Sequence, residues 1–133
     1  MKHVTSFALM AVMVVLAGGL VLQAQPPKTA SQVFLDYRAA FEKATTVDEI
    51  LPFQAKATRD QIEKTPAAQR KQMFEMMKAM SDARGVKVIK ETKNATGVEL
   101  AVEGTTPDKK TSTGKIQMVQ ENGAWKVANE DWQ

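Results

Sequence analysis

The stretch Ile116-Gln117-Met118-Val119-Gln120-Glu121-Asn122-Gly123-Ala124-Trp125-Lys126-Val127 decides the fold. Asn122-Gly123 is the dipeptide preferred in a tight two-residue hairpin, because both central positions of such a turn need positive φ. Ile116 and Met118 before the turn, and Trp125 and Val127 after it, recur with the period of two expected of strands that bury one face. The same period extends back along the chain. Val98, Leu100 and Val102 alternate against Glu99, Ala101 and Glu103, and Val86 and Val88 alternate against Lys87. Four antiparallel strands are therefore expected. Lys93-Asn94-Ala95-Thr96 turns between the first two, and a longer polar connection from Gly104 to Gly114 joins the second and third. One face of this sheet is apolar and must be covered; the other is charged and wet.

Only the preceding segment can cover it, and its periodicity is helical. Thr29 with Gln32 forms a capping box, in which side chains satisfy the free amides of a first helical turn. Val33, Phe34, Tyr37, Phe41 and Ala44 then recur every three or four residues as an aromatic stripe, with Asp36, Arg38, Glu42 and Lys43 assigned to the outer face. Thr46 and Glu49 open a second, short helix that Pro52 interrupts, and Thr58 with Gln61 opens a stub ending near Lys64. Thr65-Pro66 starts a fourth helix expected to run to about Arg84, with Gly85 as its left-handed stop. The fold class is thus α+β: three to four N-terminal helices packed on one face of a curved four-stranded antiparallel sheet.

The 133-residue chain supplies material for one domain. With 44% hydrophobic and 25% charged residues it has the composition of a packed globular protein, which excludes disordered and fibrous classes. Met1-Lys2-His3 followed by the apolar run Phe7 to Leu22 reads as an export signal over residues 1–24, with cleavage after Ala24. Leu22 stands where a small residue is preferred, so retention as a membrane tether is the alternative. Cleavage leaves residues 25–133 as a single exported domain, periplasmic or secreted and free of the membrane. That domain carries no histidine and no cysteine, which removes disulfides, thiol nucleophiles, Cys/His zinc sites and a histidine base. Its charge is close to neutral and unclustered, so no nucleic-acid partner is expected.

The helices first, then a meander ending in Glu121-Asn122-Gly123-Ala124-Trp125-Lys126-Val127, resemble the cone-shaped superfamily named after nuclear transport factor two. In its small exported bacterial members of unknown function the last hairpin carries a glycine, a tryptophan, a lysine and an aliphatic residue, as do Gly123, Trp125, Lys126 and Val127. The resemblance implies a bent sheet wrapped around a long first helix and covers Thr29 to Trp132. It implies little about activity, since the superfamily hosts isomerases, dehydratases and non-catalytic binding domains alike.

Isomerases of this kind place a phenol on the first helix, the position of Tyr37. Between Phe34 and Phe41, however, a tyrosine is ordinarily a core residue. The inward strand positions Val86, Val88, Val98, Leu100, Val102, Ile116, Met118, Trp125 and Val127 include no carboxylate, so no catalytic residue is assigned. Met73, Met76, Met77 and Met80 form one thioether stripe, with Lys71, Glu75, Lys78 and Asp82 opposite. Such a stripe can pack on the sheet, line a groove for an apolar ligand or partner, or hold Cu(I) through soft donors. The expectation is an exported non-catalytic domain that binds an apolar small molecule or a protein partner, or that serves as a structural module. Its candidate binding residues are Phe34, Tyr37, Phe41, Met73, Met77, Met80, Leu100, Met118 and Trp125. No cofactor is expected, and a homodimer is compatible with the reading. An isomerase-like enzyme using Tyr37 is the alternative.

Overall fold

The computed structural model describes residues 26–133, so the expected signal segment lies outside the described residues. The protein is α+β. Helix α1 (Ala30–Lys43), a 3₁₀ helix (Val47–Phe53), α2 (Lys56–Lys64) and α3 (Ala67–Met80) precede strands β1 (Arg84–Lys93), β2 (Val98–Thr105), β3 (Thr111–Glu121) and β4 (Ala124–Trp132). The strands form a curved antiparallel meander in the order β1-β2-β3-β4. Asn122 and Gly123 take φ of +52° and +78°, which is the two-residue hairpin their sequence calls for.

Helix α1 begins as its capping box requires: the Thr29 hydroxyl accepts from the Gln32 amide at 3.2 Å and the Gln32 side chain accepts from the Thr29 amide at 3.0 Å. It touches both β1 and β4, the outermost strands, and so lies across the hollow of the sheet. Phe34, Tyr37 and Phe41 pack there against Val98, Leu100, Val102, Ile116, Met118 and Val127.

Several expectations need correcting. Arg38, assigned to the outer face, is 2% exposed. It lies four residues after Phe34 and three before Phe41, so helical geometry puts it on their stripe whatever its charge. Its guanidinium donates to the Ser81 hydroxyl at 2.7 Å, to the Ser81 carbonyl at 3.1 Å and to the Ala83 carbonyl at 2.9 Å. It also sits over the rings of Phe41 and Trp132, 4.9 and 5.2 Å from their centroids. One buried cation thus joins α1, the turn into β1, and β4.

The Thr58–Gln61 cap does not form. α2 starts three residues earlier, after Ala55, and its first amide, that of Lys56, donates at 2.8 Å to the carboxylate of Glu121, 65 residues on. α3 ends at Met80, not near Arg84: Ser81 leaves the helical conformation at φ −126° and ψ 50°, and the carbonyls of Ser81 and Ala83 accept from Arg38. Gly85, at φ +59°, is an irregularity inside β1, where the pairing with β2 shifts between Arg84 and Lys87. The connection from Gly104 to Gly114 is mostly strand. β2 and β3 run on to Thr105 and from Thr111, leaving Thr106 to Lys110 as the turn.

The inner face of α3 is centred on Phe74, which is 4% exposed, a quarter turn from the expected thioether stripe. Lys78, four residues on, follows it inward. Its ammonium lies 5.0 Å from the Phe41 centroid and 5.3 Å from that of Phe74, and it donates to the carbonyls of Phe41 and Glu42 at the end of α1. A cation there satisfies carbonyls that have no helical partner. Burial, then the nearby Arg84 and Arg38 charges, hold the Lys78 pKa below its usual value. Met73 and Met77 still pack against the core, whereas Met76 and Met80 are 63% and 74% exposed.

Candidate functional site

Strand β4 changes face halfway along. Met118 pairs with Val127 but Gln117 pairs with Asn129, so Ala128 is an extra residue, a β-bulge. Strict alternation from Val127 would send Asn129 and Asp131 inward. After the bulge Glu130 stands opposite buried Ile116, and Trp132 opposite buried Gly114. Both side chains therefore turn towards the helices. A β-carbon added at Gly114 would come within 3.0 Å of the Trp132 ring, so the absence of a side chain there seats the indole.

The result is a cleft of about 380 Å³ between α1, the end of the 3₁₀ helix, α2, α3 and β4. Tyr37 and Gln54 contribute polar groups to it. Phe41, Met77, Val127 and Trp132 form apolar walls, and Met80, Thr58, Asn129 and Glu130 also line it. Of the candidate residues, the cleft gathers Tyr37, Phe41, Met77 and Met80. It does not gather the rest. Phe34, Leu100 and Met118 are wholly buried in the core, Met73 packs against that core, and Trp125 is half-buried there, away from the cleft.

The missing inward carboxylate is Glu130. It accepts from the Trp132 indole N–H at 3.0 Å and lies 3.9 Å from the Arg38 guanidinium. Tyr37 is 1% exposed and stacks with Phe34, Phe41 and Phe53 at centroid distances of 6.0, 5.9 and 5.8 Å. Burial first, and the facing Glu130 carboxylate second, push its phenol well above the usual tyrosine pKa. Tyr37 is accordingly a neutral hydroxyl at every physiological pH. A group whose folded pKa is raised stabilises the fold below its unfolded pKa and ceases to do so as pH rises. Stability should fall above about pH 10, where the unfolded chain's phenol ionises and the buried one resists. Tyr37→Phe should flatten that part of the alkaline limb in urea titrations at pH 9 to 11; an unchanged slope would contradict the buried neutral phenol.

Gln54 was invisible as a site residue. Its backbone is fixed at both ends, its N–H donating to the Leu51 carbonyl at 3.1 Å and its carbonyl accepting from Arg59 at 2.6 Å. The next amide, of Ala55, donates to the Val127 carbonyl at 2.8 Å, tying the 3₁₀ segment to β4. The residue is 5% exposed, its Nε2 is closed off from solvent, and the side chain lies close enough to the Tyr37 hydroxyl to work against the larger effect of burial on that phenol.

Among the described residues no three carboxylates or histidines are grouped as for a metal ion. The soft donors are divided, Met73 and Met77 on the core and Met76 and Met80 in solvent. No helix among the described residues is long and apolar enough to cross a membrane. Comparison with protein-family models, curated proteins and solved structures finds no match to this chain.

Proposed function

We propose that the protein is a binding domain whose cleft between α3 and β4 holds one small, largely apolar molecule. The observation that supports this best is the cleft of about 380 Å³ itself, walled by Phe41, Met77, Val127 and Trp132, with the polar residues Tyr37, Gln54 and Glu130 on its lining. Pockets that combine apolar walls with a few fixed polar groups are the common form of small-molecule sites. Export to the periplasm or medium is part of the proposal and rests on the apolar run Phe7 to Leu22 ahead of Ala24; an intact mass that retains His3 would count against it. Membership of the transport-factor-two-like superfamily is likewise proposed, from helices that precede a curved meander.

The neutral dye Nile red tests the binding reading. The parent protein should bind it at one site with enhanced, blue-shifted emission. Met77→Trp, which fills the cleft from its half-buried wall, should weaken binding at least tenfold while the melting temperature stays within a few degrees. Parent protein that does not bind, or a variant that binds equally well, would remove the cleft as the site.

One observation favours a second reading, an enzyme that moves a proton: Glu130 faces Tyr37 in the cleft, so a carboxylate and a neutral phenol share one space. Glu130→Gln would then abolish turnover of a bound substrate and leave Nile red binding intact.

A further inference from the structure

We propose that the cleft takes a short extended peptide of alternating apolar and basic residues, which adds as a strand to the open edge of β4 between Ala128 and Trp132. This rests on the cleft being a site for an apolar group and goes beyond it: the apolar group is a side chain, and the molecule that carries it is a peptide. Three observations carry it. First, the cleft runs along the backbone of β4. Asn129 and Asp131 are exposed and point away from the helices, yet they line the same cleft as the inward Glu130 and Trp132. Residues of both faces border one space only where it abuts the edge of their strand.

Second, that edge carries backbone groups that β3 does not use. Thr113 and Gln133 exchange backbone hydrogen bonds at 3.0 and 2.8 Å. Bonded and non-bonded pairs alternate along an antiparallel ladder, so Asp131 and Asn129 bond to β3, whereas Glu130 and Trp132 turn N–H and C=O to the other side. Among the described residues, β4 has one partner on that side, a parallel bridge from Gln54 to Val127, with the Ala55 amide donating to the Val127 carbonyl at 2.8 Å. The chain then leaves into α2. The protein itself thus begins a strand on this edge, and the remainder from Ala128 to Trp132, about 16 Å at a strand's rise, stays open. Unpaired edges template a further strand. Thr58, Met77 and Met80 face β4 across the cleft, so a single segment fits there and the edge of a second folded sheet does not.

Third, the charge on the lining is of one sign. Among the described residues Glu130 and Asp131 are its only charged members. Glu130 is engaged by Trp132 at 3.0 Å and by Arg38 at 3.9 Å. Asp131 enters no ion pair among the described residues, and Lys115, its neighbour on β3, closes none with it. Opposed residues on adjacent strands share a face. A peptide residue beside Asp131 therefore points outward, where a basic side chain is favoured, and those beside Glu130 and Trp132 point inward, where Phe41 and Met77 favour apolar ones.

The test displaces Nile red from the parent with acetyl-Lys-Leu-Lys-Leu-Lys-amide and with two copies of that peptide, one N-methylated on its leucine amides and one on its lysine amides. Successive amides of a strand point to opposite edges, so one methylated peptide should bind about tenfold more weakly than the other, the margin of one or two hydrogen bonds. The counterpart with glutamate in place of lysine should bind weakest. Asp131→Asn should weaken the lysine peptide about threefold, the margin of an exposed ion pair. Equal binding by the two methylated peptides, a glutamate peptide as tight as the lysine one, no effect of Asp131→Asn, or a lysine peptide that leaves Nile red in place would each overturn the assignment, while Nile red binding by the parent keeps the cleft as a site. Failure of the parent to bind Nile red would instead remove the cleft reading and this one together.

Discussion

Arg38→Met is expected to lower the unfolding free energy by about 3–5 kcal/mol, enough to unfold much of a domain whose total stability is on the order of 5–15 kcal/mol. Methionine retains the length and apolar stem of the side chain, so little of the loss is cavity. What disappears is the only donor that the Ser81 and Ala83 carbonyls receive from Arg38, along with the cation between Phe41 and Trp132. Orphaned buried acceptors cost their full desolvation. Arg38→Lys should recover less than half, because an ammonium lacks the flat guanidinium that reaches three acceptors from two separate nitrogens while lying between two rings. Glu130→Gln should be much milder, since the Arg38–Glu130 separation of 3.9 Å is long and Glu130 keeps its contact with Trp132. Urea denaturation of the three variants checks the order. A Glu130 effect as large as that of Arg38→Met would show that the ion pair, and not the carbonyl cluster, fixes the α3–β1 turn.

Phe41→Ala should cost about as much, roughly 3–5 kcal/mol, through a different cause. Phe41 is 1% exposed and is the point where the layers meet, with Tyr37 at 5.9 Å and Phe74 edge-on at 5.8 Å. Its faces also carry two cations, Arg38 at 4.9 Å and Lys78 at 5.0 Å. Truncation leaves a cavity and strips both charges of their aromatic partner at once. Phe41→Leu should return most of the packing and none of the cation contacts, so its remaining difference from the parent in thermal unfolding measures the latter. If Phe41→Ala melts within about 2 °C of the parent, the aromatic chain does not hold α3 to α1. Trp125→Ala, by contrast, removes a half-buried ring and should cost less than either.

These sites differ in how far the sequence revealed them. The hairpin at Asn122-Gly123, the cap at Thr29 and the inward set from Val98 to Met118 depend on local geometry, and local spacing was sufficient. Arg38 is a case where charge points outward and spacing inward: its interval from Phe34 and Phe41 puts it on the buried stripe, and spacing prevails. The thioether stripe on α3 misled for the opposite reason. Four methionines outnumber one phenylalanine in the sequence, but the larger ring of Phe74 takes the centre of the face, and the alkyl stem of Lys78 lies beside it. The start of α2 has no local mark, since the acceptor for its first amide, Glu121, is 65 residues away along the chain.

The cleft was hidden by a single residue. Alternation from Trp125 and Val127 puts Glu130 outside, and it is the extra Ala128 that returns Glu130 and Trp132 to the helical side. One mark of this was present: Trp132 is out of phase with Val127, being five residues away. Gln54 bore no mark at all, because an amide between a 3₁₀ segment and a helix is expected in solvent, and only the packing of β4 against that segment closes it in.

The most direct measurement is a titration of the folded protein with 2-undecanone, followed through its ¹³C-labelled methionine methyls and indole N–H signals. Saturable shifts confined to Met77, Met80 and Trp132, with Met118 and Trp125 unmoved, are the predicted result. Shifts confined to the exposed Met76 or to Trp125, or no saturation at any of the cleft residues, would contradict the cleft between α3 and β4 as the functional site.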